Sequence, residues 1–599
     1  MLSRHANSDA RINYSSNDTS FSSAAPDSFG GATPTNLFQL QGLTSASPTA
    51  SVQVMLSFAG VASVPQVVQR SQTGKQHQWN FNDAVTLSFG RHLLKFGADY
   101  RRIYPDIVSQ NPVLLFIYLN QASVKNNAPL IAAAILNAAA HPIYQNFSAF
   151  LQDEWRASAR LSVSMGLRWE VNPAPSAPSG NLPYTVQGSS LSTLTLAPQG
   201  TSLWNTTWHN FAPRLGLAYV LRRSTGFETV VRSGGGIFFD TGQQLGAQGF
   251  SGPGFASAAI LPGAPFPLTP SQIPSAIPNP PVAPYTTQVS AFPEHLQLPY
   301  TLQWNASIQQ ALGTNQSLSL SYLGSQGRRL LQGKRINVAK FNPNFTTVVF
   351  YQNGATSDYH ALQAEFQRRL SKNLQALASY SWSHSIDEGS QNLDFPFMRG
   401  NSEFDVRHNF SAAVSYDLPW NFRSGFVQAV LGRWALDDRF MARTGFPVSL
   451  NGNQITDPIT AQTSFTGLNL LPGQPVYIYG PQYPGGRSVN PAAFALPAAG
   501  QFGNAPRNFV RGFGAVQMDL ALRREIRIHE ALRLQFRAEA FNLFNHPNFG
   551  TINATFCPGG PGCTFGQATA TLAQGLGVLS PLYQMGGPRS MQLALKLVF

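Results

Sequence analysis

The sequence predicts an all-β protein: an antiparallel transmembrane β-barrel of about 16 strands, with long extracellular loops and short periplasmic turns. Three observations lead there. Apolar and polar residues alternate with period two in segment after segment. These segments come in pairs joined by short turns, and the pairs are separated by long connections. Charge is also scarce: 11% of the 599 residues are charged, while 43% are hydrophobic and 12% aromatic. Ordinary soluble proteins carry roughly 25% charged residues, so this composition suits a chain whose surface largely faces something other than water.

The alternation is clearest near the C-terminus. Met591, Leu593, Leu595, Leu597 and Phe599 fall on one face, opposite Gln592, Ala594, Lys596 and Val598. In 516–526, Val516, Met518, Leu520, Leu522 and Ile526 oppose Gln517, Asp519, Ala521, Arg523 and Glu525. In 532–540, Leu534, Phe536 and Ala538 oppose Arg533, Gln535, Arg537 and Glu539. The same split separates Leu161, Val163, Met165, Leu167 and Trp169 from Ser162, Ser164, Gly166 and Arg168. It recurs in 300–308, where Tyr300, Leu302, Trp304, Ala306 and Ile308 oppose Thr301, Gln303, Asn305 and Ser307. Period two puts successive side chains on opposite faces of a strand, so each segment reads as a half-buried antiparallel strand. Leu520, Leu522, Leu534, Phe536, Leu593, Leu595 and Leu597 are expected to face lipid. Arg523, Arg533, Arg537 and Lys596 are expected to face the lumen.

Pairing is legible from the short connections. Segment 83–89 meets 93–102 across Gly90; 146–155 meets 161–171; 212–220 meets 228–238. Segment 300–310 meets 316–323 across Gly313; 359–368 meets 374–385; 516–526 meets 532–541. Between pairs lie 104–144, 172–207, 240–299, 449–514 and 546–587, rich in Pro, Gly, Ser, Asn and Ala. A stretch such as PLTPSQIPSAIPNPPVAP (267–284) cannot be a strand interior. Alternating short and long connections put all tight turns at one end, the asymmetry of outer-membrane barrels. Trp155 beside a short turn and Trp169 near a long loop fit the two aromatic girdles of such a wall. The expected organisation is an irregular N-terminal segment over 1–50 and a barrel over 51–599.

No stretch reaches the roughly 20 apolar residues a spanning helix needs. The nearest, PLIAAAILNAAA (129–140), is too short and is interrupted by Asn137. A closed barrel is the remaining way to pair every backbone group inside a bilayer. Residues 1–21 contain no apolar core of a secretory signal. Either the membrane reading is wrong or the start of the protein is missing, and the second is the reading taken.

The net charge of +13 does not point to nucleic acid, because no basic run is longer than two residues. Lys and Arg read instead as solvated and lumen-lining charges. The two cysteines, Cys557 and Cys563, bracket PGGPG and lack CxxC spacing. They are expected to form one small loop disulfide in an oxidising compartment, with two free thiols as the alternative.

No catalytic motif survives inspection, and the chain is not read as an enzyme. Gly249-Phe250-Ser251-Gly252-Pro253 misses the nucleophile elbow at its last position. Gly234-Gly235-Gly236 lacks a phosphate-binding Lys and reads as relief of crowding in a strand. Gly575-Leu576-Gly577 lacks a third Gly. The adjacent acids Asp153-Glu154, Asp387-Glu388 and Asp437-Asp438 point to opposite faces of their strands and cannot easily form an acid/base couple. His384, Asp387, Glu388 and His408 surround a long-loop segment without metal-ligand spacing. Asp405, Arg407 and His408 read as a lumenal ion-pair network. No cofactor is expected.

Several segments resemble the barrel of Oar-like TonB-dependent receptors. They are HLLKFGADYRR (92–102), QNFSAFLQDEWR (145–156), NFAPRLGLAY (210–219), YHALQAEFQRRLSKNL (359–374), YSWSHSIDEGS (380–390), RGNSEFDVRHNFSAAVSYDLPW (399–420) and FRAEAFNLFNHPNFG (536–550). Phe599 is similar to the C-terminal aromatic that the barrel-insertion machinery reads in that class. The resemblance spans about 80–599. It implies an outer-membrane location, contact with lipid, and uptake or recognition of a bulky solute. It also implies partnership with a TonB complex where a plug is supplied, although neither a plug nor a carboxypeptidase-regulatory-like domain is found in the chain. A passive porin or structural surface barrel is the alternative function.

Overall fold

The structure is a computed structural model and describes residues 5–22, 36–43, 49–56, 66–106, 111–178, 181–389, 398–457, 463–528, 532–560, 562–572 and 586–598. Among the described residues sixteen strands succeed one another in a single antiparallel wall. The first five are β1 (Ala6–Ser22), β2 (Gln66–Phe89), β3 (His92–Asp106), β4 (Tyr144–Trp155) and β5 (Leu161–Val171). Then come β6 (Asn210–Arg222), β7 (Thr229–Phe239), β8 (Tyr300–Ala311), β9 (Gln316–Asn337) and β10 (Thr347–Ser371). The last six are β11 (Leu374–Asp387), β12 (His408–Asp417), β13 (Trp434–Arg443), β14 (Ala515–Arg527), β15 (Arg533–Phe541) and β16 (Ser590–Val598). Each strand pairs antiparallel with the next.

All six hairpins expected from the sequence form. The β10–β11 turn shows why: Lys372 and Asn373 have φ of 48° and 65°. Two successive left-handed residues make the turn whose twist matches that of the flanking strands. At the β2–β3 turn, Gly90 supplies φ 58°.

Two expectations about the chain's start change. Residues 1–50 are not an irregular segment throughout, because β1 lies there and pairs with β2 from Ala6↔Leu87 to Ser22↔Ser71. Ser51–Leu56, at the start of the segment expected to form the barrel, leaves the wall instead. It runs parallel to Val113–Tyr118 in a small sheet on the loop side. The polar character of 1–22 hid β1, whose alternation is carried by few apolar residues such as Ile12 and Tyr14.

The long connections are built, not structureless. Val113–Tyr118 pairs with Ile131–Asn137, which pairs with Ala256–Leu261. The apolar run 129–140 is thus a loop-side strand. Leu37, Val52, Leu114, Phe116 and Ala132 bury one core there. Val289, Ile336, Val338, Phe345 and Val348 bury a second. Leu468, Val489, Phe494, Val510 and Phe565 bury a third. The well-buried apolar side chains therefore cluster mainly outside the membrane, while the wall shows its apolar face outward. Strands β9 and β10 run 22 and 25 residues. At about 3.3 Å per residue and about 40° tilt they far exceed a band of roughly 25 Å, so their upper ends join the second core. A register shift after Gly327, beside Arg329 at φ 56°, separates the two halves.

Turn-side connections are not uniformly tight. Between β12 and β13 the chain runs through 418–433 and includes a helix, Gly425–Leu431. Among the described residues no helix is long and apolar enough to cross a membrane.

Candidate functional site: the lumen and mouth of the barrel

Cross-strand register sorts the side chains into two faces. One row joins Leu597, Leu534 and Ile526; the next joins Leu595, Phe536, Arg524 and Trp434; the next joins Leu593, Ala538, Leu522 and Leu436. The opposite face carries Lys596, Gln535 and Glu525, then Arg537 and Arg523, then Gln592, Glu539 and Asp437. The first face is apolar and turns to lipid; the second is polar and lines the lumen.

On the lumen side of β12–β15 the charges form a network. Arg523 lies 3.2 Å from Asp437 and 3.3 Å from Asp417. Arg537 lies 3.5 Å from Asp437 and 2.7 Å from Glu539. Ser415 donates to Asp437 at 2.7 Å.

The opposite wall, β5–β8, is different. Its lumen face is lined by Ser162, Ser164, Gly216, Ala218, Gly234 and Asn305, and a cavity of about 790 Å³ opens against it. Gly234-Gly235-Gly236 sits within β7 and keeps regular pairing on both sides. A Cβ on Gly236 would stand 2.8 Å from Arg214 Cγ, and one on Gly235 would stand 3.0 Å from the Gln303 carbonyl oxygen. The glycines relieve crowding and make the wall thin at this point.

At the mouth, Asp405 is the centre of a second network. Its side chain is fully buried. It accepts the Ser385 N–H at 2.7 Å and is joined to His384 Nδ1 at 3.2 Å. Arg407 approaches at 3.3 Å, and Arg511 donates to it from the 444–514 connection. Burial pushes this carboxyl up, but the Ser385 N–H, Arg511 and His384 outweigh it and hold it below the usual carboxylate range. Arg507 from the same connection pairs with Asp387 at 2.8 Å and with Glu403. Glu388 accepts the Thr356 N–H at 2.8 Å. These contacts tie the longest loop to the tops of β10, β11 and β12.

Sequence reasoning placed Asp405 and Arg407 in an ion-pair network but missed Arg507 and Arg511. Nothing local marks those two arginines; more than 100 residues separate them from their acids. His408 was grouped with Asp405 and does not belong there. It faces the other way and shares a 2.7 Å hydrogen bond with Tyr380 Oη on the outer face. The adjacent acids 153–154 and 437–438 divide as strand geometry demands. Asp437 lines the lumen, while Asp438 lies outward between Val414 and Leu520. Asp153 lies outward and shares a 2.7 Å hydrogen bond with His92, while Glu154 lines the lumenal cavity. Among the described residues no group of three His, Cys, Asp or Glu side chains is placed to hold a metal ion.

Trp155 lies opposite Val163 and Trp169 opposite Ala149. The two tryptophans are therefore six residues apart in height, roughly 20 Å along the strand. Trp169 sits among Phe147, Trp208 and Phe211. His92 stacks between Phe89 and Trp155 at the turn end. The structure joins Cys557 to Cys563 in the connection after β15, against the third loop core. Phe599 lies outside the described residues.

An all-antiparallel wall with an apolar outer face, a polar lumen and loops gathered at one end defines a Gram-negative outer-membrane β-barrel. The chain belongs to the outer membrane beta barrel domain family, whose model matches residues 1–592. Among solved structures it is similar to the outer membrane transporter YddB from Escherichia coli, at 10% identity and a TM-score of 0.50, covering 91% of this chain and 58% of that one. It is also similar to the ferripyoverdine receptor of the outer membrane of Pseudomonas aeruginosa, at 10% identity and a TM-score of 0.45, covering 99% and 53%. The copper transporter OprC gives 11% identity and a TM-score of 0.43, covering 100% and 63%. The chain thus spans less than two thirds of the length of these proteins, and the likeness shows the fold alone. No curated protein sequence matches.

Proposed function

We propose that this barrel is the wall of an outer-membrane receptor that takes up or recognises a bulky solute, of the Oar-like TonB-dependent kind. The observation that supports this most is the ordered mouth. Buried Asp405 and its arginine partners hold the 444–514 connection over the lumen, and three loop cores make a fixed extracellular surface. A passive pore needs no such surface; recognition does.

Energised uptake needs a movable element inside the lumen, because a rigid wall gives the energy source nothing to pull on. The chain alone is proposed not to perform it. A TonB complex becomes a partner where a plug element sits in the lumen. The test is expression of residues 1–599 behind an added signal peptide in cells with a working TonB system. Uptake that exceeds a control without the barrel and collapses with the proton gradient would overturn this part.

The cavity against the thin β5–β8 wall favours one second reading, a passive pore. Ion conductance of the isolated chain in a planar bilayer, stable over minutes and independent of TonB, would support it over the receptor.

A further inference from the structure

We propose that the short-turn rim of this barrel is a binding ring for the headgroups of anionic phospholipids in the periplasmic leaflet. The proposal rests on the turns facing the periplasm and names the ligand chemistry that this rim takes.

The sequence shows basic residues scattered one or two at a time. The fold gathers them. Arg91, Arg156, Arg160, Arg223, Lys372, Arg423 and Arg433 all lie in turn-side connections and all are exposed. Glu228 is the one acid among the described residues of those connections. Arginines of the lumen and mouth, such as Arg523, Arg537, Arg507 and Arg511, sit on carboxylates. Among the described residues none of the seven rim cations has a carboxylate partner. Arg91 uses one N–H to hold the Ala157 carbonyl at 3.1 Å, which fixes the first turn against the second. The loop side differs in being mixed: Asp358, Asp387, Glu403 and Asp405 there sit on arginines.

A one-signed surface could attract a free anion, an acidic protein or a lipid headgroup. Its position favours the lipid. Arg160, Arg223, Lys372, Arg423 and Arg433 follow the perimeter of an apolar wall, just below a girdle that includes Phe89, His92 and Trp155, and Arg91 and Arg156 sit where that rim meets the lumenal cavity. Leu370 and Phe426 extend this apolar level and are 62% and 78% exposed. Two cation–π pairs hold guanidinium groups at the same height: Arg222 over Phe227 at 5.8 Å and Arg524 over Trp434 at 5.3 Å. A phospholipid lying along the wall puts its acyl chains on the apolar face and its phosphate at the level of these cations. A free anion would use only half of this arrangement.

The test uses the tryptophans of the rim. The full chain, reconstituted in bilayers, is quenched with brominated phosphatidylglycerol or with brominated phosphatidylcholine of the same acyl chains. At low salt phosphatidylglycerol should be preferred at least about fivefold, the effect of roughly one surface cation per headgroup. The preference should fall toward one at about 0.5 M salt, because screening acts on exposed charge. Replacing all seven rim cations by Gln should remove it at low salt. If that variant fails to insert, the salt titration of the wild-type chain still decides. Equal binding of the two lipids at low salt, or a preference that salt leaves unchanged, overturns the proposal. So does a preference that survives in the seven-fold variant. Loss of the preference on adding inorganic phosphate at constant ionic strength would assign the ring to a free anion, and would overturn it as well.

Discussion

The indole of Trp304 fills the space above Gly324: a Cβ on Gly324 would lie 2.2 Å from Trp304 Cε2. The two residues are directly paired across β8 and β9, and Gly235 of β7 faces Trp304 from the other side. A large aromatic on the outer face is thus seated over backbone that no side chain shields. Gly324→Ala should force the indole or the strand to move, at a cost of about 1–3 kcal/mol for overpacking. Urea titration of the reconstituted barrel measures this. The double change with Trp304→Leu should recover most of the loss; an unaltered single variant would show that the indole has room elsewhere.

The facing of the C-terminal strand gives a second prediction. Leu595 is 70% exposed and pairs with Phe536, whereas its neighbour Lys596 pairs with Gln535. Leu595→Arg should cost about 2–4 kcal/mol near the bilayer centre. Lys596→Leu should be nearly neutral. Insertion yield and unfolding free energy in the same lipid compare the two, and the reverse order would mean that the wall is turned inside out.

A third prediction concerns Asp405. Its carboxyl is held below the usual range in the folded protein, so the stabilisation is present above the unfolded value near 3.9 and is lost as pH falls through the lower folded value. Protease resistance of the 444–514 connection should therefore persist at pH 5 and fall below about pH 4. Asp405→Asn should remove the dependence and weaken the mouth by about 1.5–3 kcal/mol, since the Ser385 N–H and the partly exposed Arg407 and Arg511 would lose a charged hydrogen-bond acceptor. The wall itself should melt unchanged. Equal proteolysis of variant and parent at neutral pH would contradict this.

The fourth prediction is chemical. Cys557 and Cys563 should resist maleimide on intact cells until a reductant is added. Closing a loop this short is worth about 2 kcal/mol, and the third loop core should lose that much in the Cys557→Ser, Cys563→Ser double variant. Quantitative labelling without reductant would show that the pair is not a disulfide in the cell.

Most of the wall was legible because period two survives without any long-range information. Leu534, Phe536 and Ala538 announce their face whatever they pair with. Alternation fails where a strand is polar on both faces, and β1 was missed for that reason; Ala10 and Ser16 occupy its outer face. It misleads where a short apolar strand is buried on both sides, as with Ser51–Leu56, which resembles a wall strand locally but is packed among the loops. Pro-rich connections concealed their cores for a related reason. Leu114, Phe345 and Phe565 meet partners many residues away, and a single sequence carries no record of those meetings.

The sequence by itself determined the class of fold, the hairpin pairs, the end at which the loops gather and the two faces of the C-terminal strands. These follow from backbone geometry and turn chemistry, which act over a few residues. Only the tertiary structure decided which charges meet. Asp405 and Arg511 are 106 residues apart and touch, Asp437 and Asp438 are neighbours and part to opposite sides of the wall, and isolated arginines from separate turns come to share one rim. Electrostatic partnership depends on distance in space, and in a barrel this wide that distance is fixed by the register of every strand between the two groups.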